Sequence, residues 1–159
     1  MNISTRKATR ADIELLNTLR FAYLHEDFGS LNENDEKSIR AQLGDYFSRH
    51  IDSWDFAAIV AEVDGKVAGC AFLVICEKPA NPSFMGGKTG TVLNVLTYPE
   101  YRRHGVGSRV ISALIEEAKA MDVSRLDLVA TKAGQPLYEK FGFAPPHNTA
   151  MRLALSLYN

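Results

Sequence analysis

The chain of 159 residues lacks several features that mark specialised classes of protein. No apolar run approaches the roughly 20 residues of a membrane-spanning helix, and residues 1–7 lack the apolar core of a signal peptide. A net charge of −1 at pH 7 provides no broad basic surface for nucleic acid. We therefore expect neither a membrane nor a nucleic acid as a partner.

Cysteine is also scarce, since only Cys70 and Cys76 are present. Both lie in one apolar run that is typical of a strand, and an extended segment of that length covers about 20 Å. A disulfide requires Cα atoms within about 7 Å of each other, so the two thiols cannot pair while the strand is intact. Reduced thiols and the missing export signal predict a cytoplasmic protein.

The histidines do not show the spacing of metal ligands. They are His25, His50, His104 and His147. The two cysteines are too far apart along one strand to complete a ligand set with them. We therefore expect no metal centre.

The composition is that of an ordinary globular protein, with 46% hydrophobic and 23% charged residues. The length suits a single domain, which we place at residues 1–159. Apolar periodicity and turn residues predict the order β-αα-βββ-α-β-α-β, a mixed α/β sheet with helices on both faces. The predicted strands are residues 3–8, 56–63, 67–75, 92–96, 126–130 and 151–158, and the predicted helices are residues 9–28, 35–49, 105–121 and 136–141.

The most informative segment is a glycine turn between a predicted strand and a predicted helix. Pro99 stops the strand, and Gly105 and Gly107 open the helix. Because glycine has no Cβ atom, the backbone there can bend tightly and approach a ligand closely. The unpaired N–H groups of the first helical turn would face an anion, and Arg102 and Arg103 add positive charge beside it. The ligand that fits such a turn is a phosphate or a pyrophosphate.

Two other phosphate-binding motifs fit this sequence poorly. Gly86-Gly87-Lys88-Thr89 resembles the end of a P-loop, but Pro82 stands where that motif needs a glycine, and a strand-like run follows it instead of a helix. A dinucleotide fingerprint that starts at Gly105 would need its third glycine at Val110. For the glycines alone, a structural turn that binds no ligand is an equally good interpretation.

Two motifs, taken in order, resemble those of the GNAT superfamily of N-acetyltransferases. The first is Arg102-x-x-Gly105-x-Gly107 after Tyr98-Pro99-Glu100-Tyr101, which is similar to the acetyl-CoA pyrophosphate signature of that family. The second is Leu137-Tyr138-Glu139-Lys140-Phe141-Gly142-Phe143, separated from the first by one helix and one strand-like run. The resemblance implies a GNAT-like, mostly antiparallel central sheet, with acetyl-CoA (released as CoA) as the co-substrate.

The same resemblance implies which residues hold CoA. The backbone of Val95 and Thr97 would bind the pantetheine arm like an added strand, and the amides of residues 103–108 would take the pyrophosphate. Because His104 lies inside the turn, we expect it to flank the phosphate rather than take part in the chemistry. The expected CoA-binding residues are Val95, Leu96, Thr97, Arg102, Arg103, His104, Gly105, Val106, Gly107 and Ser108.

Tyr138 and Asn94 are the expected catalytic residues. A tyrosine, with an ordinary pKa of about 10, can protonate the departing CoA thiolate, and the resemblance places one at Tyr138. The alternative for Tyr138 is packing as a half-buried aromatic. Asn94 stands where many relatives hold a carboxylate; an amide is not a base, although it can hold a water or the acceptor. The general base stays open between a neutral incoming amine, a water relay and a side chain of the N-terminal helices.

Acidic side chains are concentrated where the resemblance implies the wall of the acceptor site. They are Glu26, Asp27, Glu33, Asp35 and Glu36. Solvated, helix-capping acids are the simpler interpretation. The functional interpretation is an acidic mouth that draws in a small cationic amine, with Glu26 and Asp27 as the acceptor-binding residues.

The sequence therefore predicts an N-acetyltransferase that moves an acetyl group from acetyl-CoA to a primary amine of a small molecule or a peptide. The resemblance implies direct attack in a ternary complex, with Tyr138 as the acid. The competing class is a CoA-binding, sensing or partner-interaction domain of the same fold without catalysis, and Asn94 favours it. The alternating last strand could also pair with a second copy through an exposed edge to form a homodimer.

Overall fold

The computed structural model describes residues 1–156 of the chain. The strands are β1 (Ile3–Lys7), β2 (Phe56–Val63), β3 (Lys66–Glu77), β4 (Lys88–Thr97) and β5 (Arg125–Asp127). The helices are α1 (Ile13–Phe28), α2 (Glu33–His50), α3 (Val106–Ala120) and α4 (Gln135–Lys140). The chain forms two compact units, Met1–Val129 and a smaller one that begins at Ala130 and contains α4. The single domain over residues 1–159 stays a prediction.

The five strands form one sheet in the order β1-β2-β3-β4-β5. The first three pairings are antiparallel, and β4 pairs with β5 in parallel. Parallel neighbours need a crossover connection, and α3 provides it between these two strands. The predicted class, a mixed and mostly antiparallel α/β sheet, is confirmed.

Strand β2 shows why both faces of the sheet carry helices. Phe56, Ala58 and Val60 belong to one apolar cluster with side chains of α1 and α2. The alternate residues Ala57 and Ile59 are buried as well, and because successive side chains point to opposite faces they need a second cover. Helix α3 packs against β1 to β4 and supplies that cover. Its buried residues are Val106, Val110, Ile111, Leu114 and Ala118.

Local motifs set several boundaries of these elements. Asp64 (φ 49°) and Gly65 (φ 82°) form the hairpin turn between β2 and β3 in the left-handed conformation that a two-residue turn needs. Helix α2 begins at Glu33 rather than at the predicted Asp35, because the side chain of Asn32 accepts a hydrogen bond from the Asp35 N–H at 2.8 Å and caps the helix. Among residues 1–156, no helix combines the length and the apolar character that a bilayer crossing requires.

The prediction of a last strand at residues 151–158 is wrong for the part that the structure describes. Residues 151–156 form no regular element, and the remaining two lie outside the described residues. The apolar side chains of this segment are exposed: Met151, Leu153 and Leu155. Alternation defines two faces, but a strand also needs a neighbouring backbone to bond with, and no residue within 1–156 pairs with this segment.

Candidate functional site

The turn that follows β4 has the backbone geometry of an anion site. Arg103 (φ 62°) and Gly105 (φ 86°) are both left-handed, and the chain enters α3 directly after Gly105. The helical hydrogen bonds start when the Arg109 N–H donates to the Gly105 carbonyl at 3.1 Å. Within the described part of the chain, the six N–H groups of residues 103–108 have no hydrogen-bond acceptor. Free N–H groups at a helix start, together with the positive end of the helix dipole, favour an anion at this turn.

Arg102 is exposed, and its guanidinium joins the turn to two other elements. Its Nε donates to the Thr97 carbonyl at 2.9 Å, and its Nη2 forms an ion pair with Glu26 of α1. The guanidinium therefore ties the turn to the end of β4 and to α1. Arg103 and His104 are exposed as well, so their side chains face solvent beside the turn.

The strand that leads to the turn carries a bulge at Asn94. Cys70 pairs with Leu96 and Phe72 pairs with Leu93, so two residues of β4 lie opposite one residue of β3. Asn94 adopts φ 55°, a left-handed conformation that asparagine tolerates better than most residues. The bulge changes the direction of β4 just before Val95, Leu96 and Thr97.

The side chain of Asn94 is 1% exposed, and protein groups use its polar atoms. Its Oδ1 accepts from Arg20 Nη1 at 3.2 Å, and its Nδ2 donates to the Leu19 carbonyl at 3.3 Å and to Cys70 Sγ at 3.5 Å. The Cys70 thiol donates back to the Asn94 carbonyl at 3.4 Å. Burial raises the pKa of Cys70 to about 12, so this thiol stays protonated at neutral pH.

The edge of β4 that faces away from β3 is open at its C-terminal end. β5 pairs only with residues 89–91 of β4. The Tyr98 N–H donates to the Ala68 carbonyl of β3 at 2.9 Å. Because alternate residues of an antiparallel strand bond to the same neighbour, Thr97 directs its own N–H and carbonyl away from β3. An extended ligand could therefore pair with β4 beyond β5 and lead to the amides of the turn.

Arg20 of α1 is a site residue that the sequence did not single out. Its guanidinium contacts the bulge through Asn94, and its Cζ lies 6.0 Å from the centroid of the Tyr23 ring. Burial lowers the pKa of Arg20, an effect that Tyr23 and Asp27 partly oppose. Burial also raises the pKa of Tyr23. The sequence does contain a signal for Arg20. It lies at the helical spacing of the apolar residues of α1, and such a position faces the interior.

The acidic residues predicted for the acceptor site lie on two helices. Glu26 and Asp27 are at the C-terminal end of α1, and Glu33, Asp35 and Glu36 are at the start of α2. Glu26 is paired with Arg102, whereas no ion pair joins Asp27 to any residue in 1–156. A cavity of about 460 Å³ opens where the two helices meet. Its lining residues are His25, Gly29, Ser30, Leu31 and Glu36.

Tyr138 belongs to the second unit, on α4. Its half-buried ring packs edge-on against Phe143, with the ring centroids 5.9 Å apart. Its carbonyl accepts from the N–H groups of Phe141 and Phe143, at 3.0 and 3.2 Å. These bonds fold the segment after α4 back on the helix and fix the tyrosine backbone.

In the part of the chain that the structure describes, no three side chains of the His, Cys, Asp or Glu types are grouped closely enough to hold a metal ion. Both cysteines, Cys70 and Cys76, lie in β3 as predicted and are free thiols. The part of the site that lies in the first unit contains main-chain amides, Arg20 and Asn94.

Comparison with known proteins gives three findings. The model of the acetyltransferase (GNAT) family matches residues 19–143. A glucosamine 6-phosphate N-acetyltransferase from Trypanosoma brucei brucei is 33% identical over 93 residues, which cover 57% of this chain and 59% of that protein. An uncharacterized N-acetyltransferase, YitH, from Bacillus subtilis (strain 168) is 40% identical over 60 residues, which cover 38% of this chain and 21% of that protein. Each match thus spans less than two thirds of the curated relative.

Solved structures match over nearly the whole chain. A predicted acetyltransferase from Clostridium acetobutylicum, solved with acetyl-CoA, superposes with a TM-score of 0.81 at 29% identity and covers 98% of this chain and 97% of its own. A GCN5-related N-acetyltransferase from Ralstonia eutropha JMP134 superposes with a TM-score of 0.80 at 23% identity, covering 96% of this chain and 99% of its own. The second likeness concerns the fold alone.

Proposed function

The chain belongs to the GNAT acetyltransferase family, and from that premise we propose that it transfers the acetyl group of acetyl-CoA to a primary amine by direct attack in a ternary complex. The observation that carries the proposal is the combination of an open β4 edge with six unpaired amides at the following turn. The open strand edge suits the extended pantetheine arm of CoA, and the amides of the turn suit its pyrophosphate.

In this proposal the pyrophosphate binds to the amides of residues 103–108, where the N–H groups and the helix dipole favour an anion. The pantetheine arm pairs with the backbone of Val95 and Thr97. Because Arg102 occupies the Thr97 carbonyl, the arm either bonds to the Thr97 N–H alone or displaces the guanidinium. In both cases Arg102 acts as a positioning residue for the turn.

The reaction balances without an intermediate on the protein. The amine nitrogen attacks the thioester carbonyl, the C–N bond forms, the C–S bond breaks, and the nitrogen loses a proton while the thiolate gains one. We assign the proton donor to Tyr138. Cys70 is unsuited to carry an acetyl group because it is buried and protonated, which favours direct transfer.

Asn94 has a positioning part in this proposal. Its amide is bonded to Arg20, Leu19 and Cys70 and keeps the bulge of β4 in one conformation. No carboxylate stands at this position, so we propose that the amine loses its proton to solvent before it attacks and reacts in its neutral form. The rate should then rise with pH up to the pKa of the acceptor itself.

The acceptor class follows from the charges at the end of α1. Glu26 and Asp27 would attract the ammonium form of an amine to the mouth of the site, mainly through Asp27, because Arg102 neutralises Glu26. The curated relative from Trypanosoma brucei brucei is named for an amino sugar, which is a primary amine too. The homodimer and the cytoplasmic location stay predictions.

A CoA-binding module without catalysis is the second candidate. The observation that favours it is the buried amide of Asn94, which stands in place of a carboxylate and is bonded to protein groups. Such a module would bind CoA at the same turn and release no thiol.

One experiment separates the two candidates. Acetyl-CoA is incubated with the protein and a panel of primary amines, and free thiol is measured together with CoA affinity by calorimetry. Amine-dependent thiol release supports the transferase. CoA binding without thiol release from any amine supports the binding module, and an absence of CoA binding overturns both.

A further inference from the structure

Arg20 carries a charge that no carboxylate of the described protein pairs with directly, and Asp27 acts on it only from a longer distance. It is half-buried between α1 and β4, where one of its N–H groups donates to the neutral oxygen of Asn94. A guanidinium has five N–H donors in a planar fork. No Asp or Glu among residues 1–156 lies within ion-pair distance of it. The Arg20 guanidinium therefore has N–H donors that no carboxylate of the described chain accepts.

Two other arginines of this protein each pair with a carboxylate. Arg125, the other half-buried one in the described chain, pairs with Asp127 at 3.2 Å. Arg102, at the turn, pairs with Glu26. Taking a cation out of water without an anion is costly, so an unpaired guanidinium inside a site points to a ligand that brings the missing charge.

The position of Arg20 decides what that ligand is. It contacts the bulge of β4, directly before the backbone of residues 95–97 where the pantetheine arm is proposed to end. The CoA phosphates have their own amides at the opposite end of that segment. An amine that attacks at the bulge would bring the rest of its molecule within a few ångströms of the guanidinium.

We propose that Arg20 is a specificity-determining residue that binds an anionic oxygen group, a carboxylate or a phosphate, carried by the acceptor close to its amine. The inference rests on the proposed function and narrows its substrate class. A planar fork suits both anions because both present two oxygens side by side. Asp27, on the same helix, remains available to the ammonium end, so the acceptor carries both charges.

The test uses paired acceptors that differ only in the anionic group. Alanine is compared with alaninamide for the carboxylate, and phosphoethanolamine with ethanolamine for the phosphate; spermidine represents a purely cationic amine. For the wild-type protein, kcat/KM should favour the anionic member of at least one pair by roughly 10- to 100-fold, the size of a charge-assisted hydrogen-bonded pair. The pair that shows the preference identifies the source of the anion.

Two variants then separate specificity from structure. Arg20→Gln should abolish the preference by raising the KM of the acceptor that carries the anionic group. The affinity for CoA and the KM of the matched acceptor without that group should not change. Arg20→Lys keeps the positive charge but not the planar guanidinium, so it should retain part of the preference. If the Arg20→Gln variant unfolds below the assay temperature, the Lys variant is used in its place. Arg49→Gln is the charge-matched control, because Arg49 is exposed on α2 and pairs with Asp45.

Three results would overturn the inference: equal kcat/KM within both pairs, spermidine as the best acceptor, or an Arg20→Gln variant that loses kcat equally for every acceptor. The last would make Arg20 a support of the bulge only. Thiol release from none of the amines, with CoA still bound, is a different failure. It would refute the transferase itself, and the inference with it.

Discussion

Replacing Gly107 by valine tests whether the turn before α3 is the CoA site. Gly107 is the second residue of α3 and is partly exposed at the turn. A valine there places a branched side chain beside the unpaired amides of residues 103–108. The pyrophosphate could then no longer reach all of them.

The expected effects on stability and on binding have different sizes. Valine costs a helix less than glycine does, by roughly 0.3–0.5 kcal/mol, so the free energy of unfolding should be unchanged or slightly higher. If the pyrophosphate loses two of the six amides, at about 1.5 kcal/mol for each hydrogen bond to a charged group, the loss is about 3 kcal/mol. That corresponds to more than 100-fold in Kd.

The assay is calorimetric titration of CoA, with thermal unfolding measured on the same samples. Gly44→Val is the matched control, because Gly44 lies inside α2 and a Cβ atom there would meet nothing within 4 Å. The control should keep the affinity for CoA. If a folded Gly107→Val protein binds CoA within roughly threefold of the wild-type affinity, the turn before α3 is not the CoA site.

Three further predictions concern acid catalysis, acceptor binding and pH. Tyr138→Phe keeps the ring and should lower kcat by roughly 100-fold with CoA affinity unchanged; unchanged single-turnover rates would assign Tyr138 to packing. Glu26→Gln with Asp27→Asn should raise the KM of a positively charged acceptor at low salt, and the effect should decrease at high salt. An unchanged KM would show that these acids have a structural role only. The hydrogen bonds from Arg6 lower the pKa of Asp12 to about 2, below its unfolded value of about 3.9. Its stabilisation is therefore complete only above about pH 5 and is lost as pH falls towards 2. Urea unfolding of Asp12→Asn should therefore show lower stability at pH 6 and a shallower decline below pH 4; parallel curves for the two proteins would contradict this.

Much of the fold follows from local sequence chemistry. The Asp64-Gly65 hairpin and the capping box of Thr9 and Asp12, where the Thr9 N–H donates to Asp12 at 2.8 Å, depend on neighbouring residues only. The strand, glycine turn and helix around Gly105 are predictable for the same reason. Residues 151–156 show the limit of local patterns, because their alternation does not supply a strand to pair with.

The sequence by itself determined the turn that exposes the amides, because glycine and the helix start lie within a few positions of one another. Only the tertiary structure decided what surrounds the reacting end of the site. Asn94 lies in a bulge because of the register between β3 and β4. Its hydrogen bond with Arg20 joins residues that are 74 positions apart. Glu26 and Arg102, 76 positions apart, neutralise each other only because α1 lies against the turn. Such pairings depend on how whole elements pack, and no pattern in a short window of sequence contains that information.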